Sequence, residues 1–323
     1  MERNLLAQYD REGRAGYIRG KLLESGLDPE KLLKRCFFAP HSDTGNLELA
    51  VSGGADSVAM LVLGSLVGPA VTVWHLDHGL RSTSSAEAEW VLSLAKAFGA
   101  SSKCFSIEVE TGPNLEERAR DKRRELFIDG VSTGHTSDDL AETVIINLIR
   151  GSGLRGLGSI SYGPQHPILN LRRWETESIC RALGLDFSTD ESNFDSRFVR
   201  NRVRSEVIPL LTDVAKRDVV PIFARSASIF QQAAEFVAAK AKELDPTDAK
   251  AIATADEFVA IEALRMWLMD DKGHSISHQL ALEVLSVAKG EKVAVDLPGA
   301  IRVRRSRGRL SKFEVQSLNL SGQ

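Results

Sequence analysis

The sequence predicts an α/β chain: a parallel sheet flanked by helices, followed by a smaller, mostly helical C-terminal region with a short β ending. Three observations predict it. Short apolar runs alternate with amphipathic segments between Leu47 and Ile149, the pattern of strand–helix units in a parallel sheet. A Gly- and Ser-rich hexapeptide, Ser52-Gly53-Gly54-Ala55-Asp56-Ser57, stands where the first strand stops and its helix begins. Beyond about Arg200 the periodicity becomes helical, and short β-like runs return only after Lys292.

Each element has its own signal. Residues 1–45 read as a helical preface, with patches at Leu5–Tyr17 and Gly20–Phe37 ahead of the polar turn His41-Ser42-Asp43-Thr44-Gly45-Asn46. Leu47–Val51 reads as a buried strand, and Val58–Leu66 as the helix after the glycine turn. A second strand, Ala70–Leu76, precedes a helix from Ser85 to Phe98, for which Ser84 and Glu87 have capping-box spacing. Next come a strand at Ser102–Val109, a helix capped by Asn114 and Glu117 that runs to Phe127, a short strand at Asp129–Thr133 and a helix at Asp138–Ile149. Past Gly151, a strand is expected at Pro167–Leu171 and a helix at Glu175–Leu183. Helices follow at Asn201–Leu211, Val219–Leu244 (stopped by Pro246), Asp256–Met269 and Ser277–Ala288. The β-like runs are Lys292–Asp296, Ala300–Arg305 and Arg309–Glu314. The expected divisions are 1–45, 46–216 for a nucleotide-binding catalytic domain, and 217–323 for a helical linker and small α+β domain.

Composition narrows the class. A chain of 323 residues can hold a full domain plus a smaller one. Its 43% hydrophobic and 26% charged residues are those of a globular protein. A net charge of −3 neither requires nor excludes a nucleic-acid partner, since basic residues can cluster locally. Cys36, Cys104 and Cys180 form no Cys-x-x-Cys pair, which disfavours zinc ribbons, iron–sulfur clusters and disulfide scaffolds. The absence of an apolar signal core or bilayer-length apolar run points to a reducing cytoplasm and no membrane partner.

The hexapeptide carries the chemistry. Its glycines allow positive φ and close approach of an anion, and the helix N-terminus directs N–H groups at that anion. Ser52 and Ser57 add hydroxyl donors. Asp56 would repel a bare phosphate, so it argues for Mg²⁺ bridging carboxylate and phosphates. The plainer reading is a tight turn in which Asp56 or Ser57 only caps the helix. Gly-x-x-x-x-Gly-Lys is absent, so this is not a Walker A loop.

Asp138, Asp139 and Glu142 fall on one face of their helix, opposite a buried stripe of Leu140, Val144 and Leu148. Thr136 and Asp139 are also spaced as a capping box. His135 is either a proton relay or a satisfied structural histidine. His75, Asp77 and His78 read better as a strand-end loop near a nucleoside than as a metal site. Gly151-Ser152-Gly153-Leu154-Arg155-Gly156 fits Gly-x-Gly-x-x-Gly but follows a helix, so a mobile loop offering Arg150 and Arg155 to phosphates fits better than a dinucleotide site. Basic clusters occur at Arg118–Arg124, Arg197–Arg204 and Arg302–Arg309. On one strand Arg305, Arg307 and Arg309 would share a face, and without interleaved aromatics they would contact an RNA backbone rather than stack on bases.

Ser52–Ser57 resembles the signature of the PP-loop ATP pyrophosphatases, which cleave ATP between the α- and β-phosphates. His75-Leu76-Asp77-His78-Gly79-Leu80-Arg81, Gly134-His135-Thr136-Ser137-Asp138-Asp139-Leu140-Ala141-Glu142-Thr143, Arg150–Leu157, Asp190-Glu191-Ser192-Asn193 and Arg200-Asn201 with Arg204 resemble, in order, motifs of the tRNA(Ile)-lysidine synthetases. Val295-Asp296-Leu297-Pro298-Gly299 is a weaker match to that family's second domain. The resemblance implies a Rossmann-like (adenine nucleotide alpha hydrolase-like) sheet and the shorter version of the family, with no further C-terminal domain. It implies that ATP adenylates the wobble cytidine of an isoleucine tRNA with a CAU anticodon, and that free L-lysine then displaces AMP to form lysidine. It implies that Ser52, Gly53, Gly54, Ala55, Asp56, Ser57 and His78 bind ATP, with Asp56 holding Mg²⁺. Asp138, Asp139 and Glu142 would receive lysine, and Asp56, His135, Asp139 and Arg204 would carry catalysis. Arg150, Arg155, Arg200, Arg305, Arg307 and Arg309 would meet tRNA, and a homodimer is compatible with all of this. The rivals are a thiolase of the same superfamily, which needs cysteines this chain does not pair, a small-molecule synthetase, and a non-catalytic nucleotide-binding module.

Overall fold

A computed structural model describes residues 6–77, 84–106, 130–188, 197–270 and 273–314. The chain divides into two compact units, Met1–Ser228 and Ile229–Gln323.

In the first unit, helices α1 (Arg11–Glu24) and α2 (Pro29–Leu33) precede strand β1 (Leu47–Ala50). Then come α3 (Ala55–Ser65), β2 (Val71–Asp77), α4 (Ser84–Ala97), β3 (Ser101–Ser106), β4 (Ser132–Thr133) and α5 (Ser137–Ile149). The strands form a parallel sheet in the order β3-β2-β1-β4. The α/β expectation holds, with elements shifted by one to three residues at their ends. The strand order reverses beside β1, and the loops leaving β1 and β4 therefore lie next to each other. That position is where open α/β sheets bind ligands.

The core shows why β1 tolerates Glu48. A buried carboxylate needs partners, and Glu48 accepts hydrogen bonds from Trp74 Nε1 at 2.5 Å and Thr44 Oγ1 at 2.8 Å. Around it Leu47, Leu49, Val58, Leu61 and Val73 pack with Leu6, Ile18, Leu22 and Leu32. The segment read as a preface thus shares one core with the sheet.

Three expectations are corrected. Pro167–Leu171 is no strand: Leu169 N donates to His166 O and Leu171 N to Ile168 O, as in consecutive turns. Its apolar run records burial alone, for Ile168, Leu169 and Leu171 are all inside. In α5 the buried stripe runs through Leu140, Val144 and Ile145, while Leu148 is half exposed. The single helix read at Asn201–Leu211 is three pieces: α8 (Val199–Arg202), a π-helical turn (Val203–Val207) and α9 (Ile208–Ala215). Pro209 brings no N–H to the ladder, which accounts for the widened turn ahead of it. Helices α6 (Leu154–Leu157) and α7 (Arg173–Ala182) lie between α5 and α8. The helix read to begin at Asn114 lies outside the described residues.

Helix α10 (Val220–Lys242) contains the division between the units, later than the sequence places it. In the second unit α11 (Ala249–Thr254), α12 (Glu257–Trp267) and α13 (His278–Lys289) pack on an antiparallel sheet of β5 (Ala294–Leu297), β6 (Ile301–Ser306) and β7 (Arg309–Glu314). Asp248, Asp256 and Ser277 cap the three helices through their side chains. Arg307 and Gly308, both at positive φ, close the β6–β7 hairpin in the manner of a type I′ turn. A hairpin there means that Arg305, Arg307 and Arg309 do not line one strand. Arg305 donates to Ala288 O at 2.9 Å and Arg309 to Asp245 Oδ2 at 3.0 Å. Across the strands, the Arg304 guanidinium lies 5.0 Å from the Phe313 ring centre, so an aromatic does interleave with the basic residues.

Because Arg307 occupies a left-handed conformation at φ 48°, Arg307→Asn should stabilise the chain by about 0.5–1 kcal/mol, read as a higher urea midpoint at unchanged slope.

Candidate active site

The turn between β1 and α3 is built as an anion cradle. Gly53 takes φ 96°, and Gly54 starts the helix without a side chain to cap it. Ser57 does not cap either. Its hydroxyl donates to Gly54 O at 2.8 Å and accepts from Ser52 N at 3.2 Å, holding the turn closed. Ser52 Oγ lies 3.3 Å from Ser57 Oγ. The first N–H groups of a helix have no intrahelical partner, and with no side-chain cap at Gly54 those of α3 are able to receive an anion.

Gly134 sets the opposite wall. A Cβ on it would sit 3.0 Å from backbone atoms of Asp56 and Ser57. Only glycine lets the loop after β4 lie against the phosphate turn. His135 follows, its Nδ1 2.7 Å from Thr133 Oγ1, and that hydroxyl is 2.9 Å from His166 Nδ1. The two rings meet edge to face. His135 is therefore seated by hydrogen bonding between Gly134 and the start of α5, which suits both readings of it. His75 is a buried core histidine donating from Nδ1 to Val51 O at 2.8 Å. His78, and Asp190 through Asp195, lie outside the described residues.

Helix α5 presents its acids to α7 and to the α8–α9 segment. The turns at Pro167–Leu171 carry α7 alongside, since Ser137 N and Oγ both donate to Leu171 O at 2.9 Å. Asp138 receives Arg172 through two bonds of 2.9 and 3.1 Å and the Arg173 backbone N–H at 2.9 Å. Arg172 also pairs with Asp218. Asp139 Oδ2 accepts from Thr136 N at 2.9 Å, completing the capping box, while its Oδ1 meets Arg173 at 3.0 Å and Arg200 at 3.3 Å. Glu142, with 0% exposure, takes three guanidiniums: Arg173 at 3.0 Å, Arg200 at 2.8 Å and Arg204 at 2.7 Å.

Arg173 reaches further. Its Nε lies 3.7 Å from Asp56 Oδ2, while Asp56 Oδ1 accepts from the buried hydroxyl of Thr176. Thus one guanidinium touches the phosphate turn and the acids of α5 together. The charges respond. Burial, with Asp139 alongside, pushes the Asp56 carboxyl up to about 6 against the bond from Thr176. Burial alone would raise Asp139 too, but Arg173 and Arg200 bring it to about 2. Burial opposes the charge on Arg173, yet Asp139, Glu142 and Asp56 hold its pKa above the ordinary value.

Sequence reading placed Asp56, Asp138, Asp139, Glu142 and His135 at one site, and the fold brings them together. Arg200 and Arg204 are there as well, bound to carboxylates, whereas Arg200 was read as a tRNA contact. Arg150 and Arg155 are exposed beyond α5. Their glycine loop is tied back by Asn147 Nδ2 donating to Gly156 O at 2.6 Å. Arg172, Arg173, Thr176 and Thr133 were missed. The basic doublet Arg172-Arg173, complementary to Asp138-Asp139, was the signal for two of them.

Residues 29–211 match a family profile described as a PP-loop domain, the class that the uncapped turn at the sheet's reversal point defines. The chain is 34% identical over 286 residues to a tRNA(Ile)-lysidine synthase of Nocardia farcinica, covering 81% of this chain and 90% of that one. It is 33% identical to the corresponding protein of Rhodococcus opacus, over 86% and 92% of the two chains. One from Mycolicibacterium paratuberculosis matches at 36% identity over 68% of this chain and 73% of its own. The chain belongs to the tRNA(Ile)-lysidine synthase family of PP-loop, ATP-using ligases.

Two outcomes follow from the geometry. Asp139 keeps its charge in the folded state down to about pH 2, so its contribution to stability is present above about pH 4 and fades between pH 4 and 2. Wild type should exceed Asp139→Asn by about 2 kcal/mol at pH 6, and urea titrations should show the gap closing as pH falls through that window. Gly134→Ala should displace the phosphate turn and weaken nucleotide binding by at least about tenfold with little loss of fold, measured by calorimetric titration with an ATP analogue.

Proposed function

We propose that this chain ligates free L-lysine to the wobble cytidine of tRNA(Ile) bearing a CAU anticodon. The cytidine carbonyl oxygen attacks the α-phosphorus of ATP and pyrophosphate leaves. The lysine side-chain amine then attacks the activated ring carbon, losing a proton, and AMP leaves. The observation that carries the reading is the Arg173 bridge: the turn that grips departing pyrophosphate and the acids that attract an amine are one guanidinium apart.

Ser52 through Ser57 hold the phosphates by backbone N–H groups and hydroxyls. Asp138, Asp139 and Glu142 form the acidic wall that selects a cationic amino acid. His135, oriented by Thr133, takes the proton released as the amine attacks. Arg204 and Arg200 screen the acids and face the anionic reactants. Asp56 would hold Mg²⁺. A carboxylate at the start of α3 fits that ion, whose remaining ligands would be phosphates and water; among the described residues no group of three or more His, Cys, Asp or Glu gathers as a protein cage. When bound, Mg²⁺ supplies neutralisation of phosphate charge. In the second unit, Arg304, Arg307 and Arg309 with Phe313 offer an RNA-facing surface, and Arg150 and Arg155 a second contact. We place the protein in the cytoplasm with its tRNA; no described helix is long and apolar enough to cross a membrane.

The thiolase reading loses support at two of the three cysteines, Cys36 and Cys180. Burial pushes the thiols of Cys36 and Cys180 up to about 12, the reverse of what a sulfur nucleophile needs.

Incubation with ATP, Mg²⁺, labelled lysine and tRNA(Ile) should transfer label only to the CAU transcript. Asp56→Ala should cut pyrophosphate release by about 100-fold or more while circular dichroism stays unchanged. Sulfur transfer without lysine uptake would reject the reading. Arg304→Gln with Arg307→Gln should flatten the salt dependence of tRNA binding by about one to two log–log units, measured by filter binding from 50 to 200 mM salt.

A further inference from the structure

The cluster that would receive lysine already contains its cations. Around Arg173 lie the carboxylates of Asp56, Asp139 and Glu142, and facing them are the guanidiniums of Arg173, Arg200 and Arg204. The two signs balance. An incoming ammonium would meet three guanidiniums at the carboxylates it needs, in a site where Glu142 has no contact with water. Cations in so confined a space repel strongly. Lysine therefore enters this cluster only when a guanidinium is drawn away.

The four arginines are not equivalent in this respect. Arg172 joins Asp138 to Asp218. Arg200 and Arg204 touch Asp139 and Glu142. Arg173 alone among the described residues joins those acids to Asp56, at the start of α3 where phosphates would lie. A polyphosphate in the turn is the nearest anion able to compete for that guanidinium, and Arg suits it through its forked donors.

We infer that Arg173 is a positioning residue that couples the two substrate sites: phosphates in the turn draw its guanidinium from Asp139 and Glu142, and the vacated carboxylates admit the lysine ammonium. This rests on the proposed function and adds an order to it, nucleotide before lysine. By linkage, lysine must in turn tighten nucleotide binding by the same factor.

The test is equilibrium dialysis of radiolabelled lysine against the full-length protein, with and without Mg²⁺ and α,β-methylene ATP, which cannot be cleaved at the α–β bond. Wild type should bind lysine about tenfold or more tightly with the nucleotide analogue. In Arg173→Gln that ratio should fall to near one, because lysine now enters without displacement. Arg173→Lys, a point charge without the fork, should lose most of the ratio and serves if the glutamine variant fails to fold. Arg181→Gln, whose parent pairs with Glu177 on the exposed side of α7, should keep it. A ratio of one in wild type, an undiminished ratio in both Arg173 variants, or an equal loss in Arg181→Gln would overturn the coupling while leaving the ligase assignment intact. Lysine that binds in no state and enters no tRNA would instead overturn the assignment itself.

Discussion

A fully buried glutamate held by three arginines is the constraint on which the site depends. Glu142 has no water to solvate it, so its charge requires guanidiniums. Those guanidiniums come from two elements distant in sequence, α7 and the α8–α9 segment. Removing one partner of such a buried network costs about 3–5 kcal/mol. The network therefore fixes where α7 and the π-helical turn lie against α5, and with them the Thr176 hydroxyl that orients Asp56.

The arrangement also explains why so many acids gather without repelling the fold apart. Asp56, Asp138, Asp139 and Glu175 stand in the first turns of α3, α5 and α7, where the helix dipole favours negative charge. Three helix N-termini thus converge at the carboxyl ends of β1 and β4. Such a place stabilises anions in general. It holds carboxylates here, and on the proposed function it would receive phosphates as well. The raised pKa of Asp56 marks a carboxylate that burial and the neighbouring Asp139 leave under-compensated, a position where an added cation improves the balance.

Much of this was legible in the chain. Strand–helix alternation and the Ser52–Ser57 hexapeptide predict the sheet and the cradle, because both depend on local pattern. The acids of α5 were legible for the same reason: spacing of three and four on a helix determines which side chains share a face. What failed to read was tertiary. Pro167–Leu171 is apolar because it is buried, and burial does not distinguish a strand from packed turns. Arg172 and Arg173 stand out as a basic doublet, but only the fold pairs them with carboxylates more than thirty residues earlier in the chain. Phe313 faces Arg304 only once two antiparallel strands are paired, so linear spacing hid the aromatic among the arginines.

Asp139 combines the helix cap and the acidic face that the sequence reading gives it. Its two oxygens divide the work: Oδ2 closes the capping box with Thr136, and Oδ1 faces Arg173 and Arg200. The cap fixes the rotamer, and the fixed rotamer aims the second oxygen. A carboxylate whose orientation is set by the backbone it caps needs no further support to keep that second oxygen on Arg173 and Arg200. The bond that begins α5 is thus part of what makes its acidic face rigid, the property the proposed selection of a cationic amino acid would require.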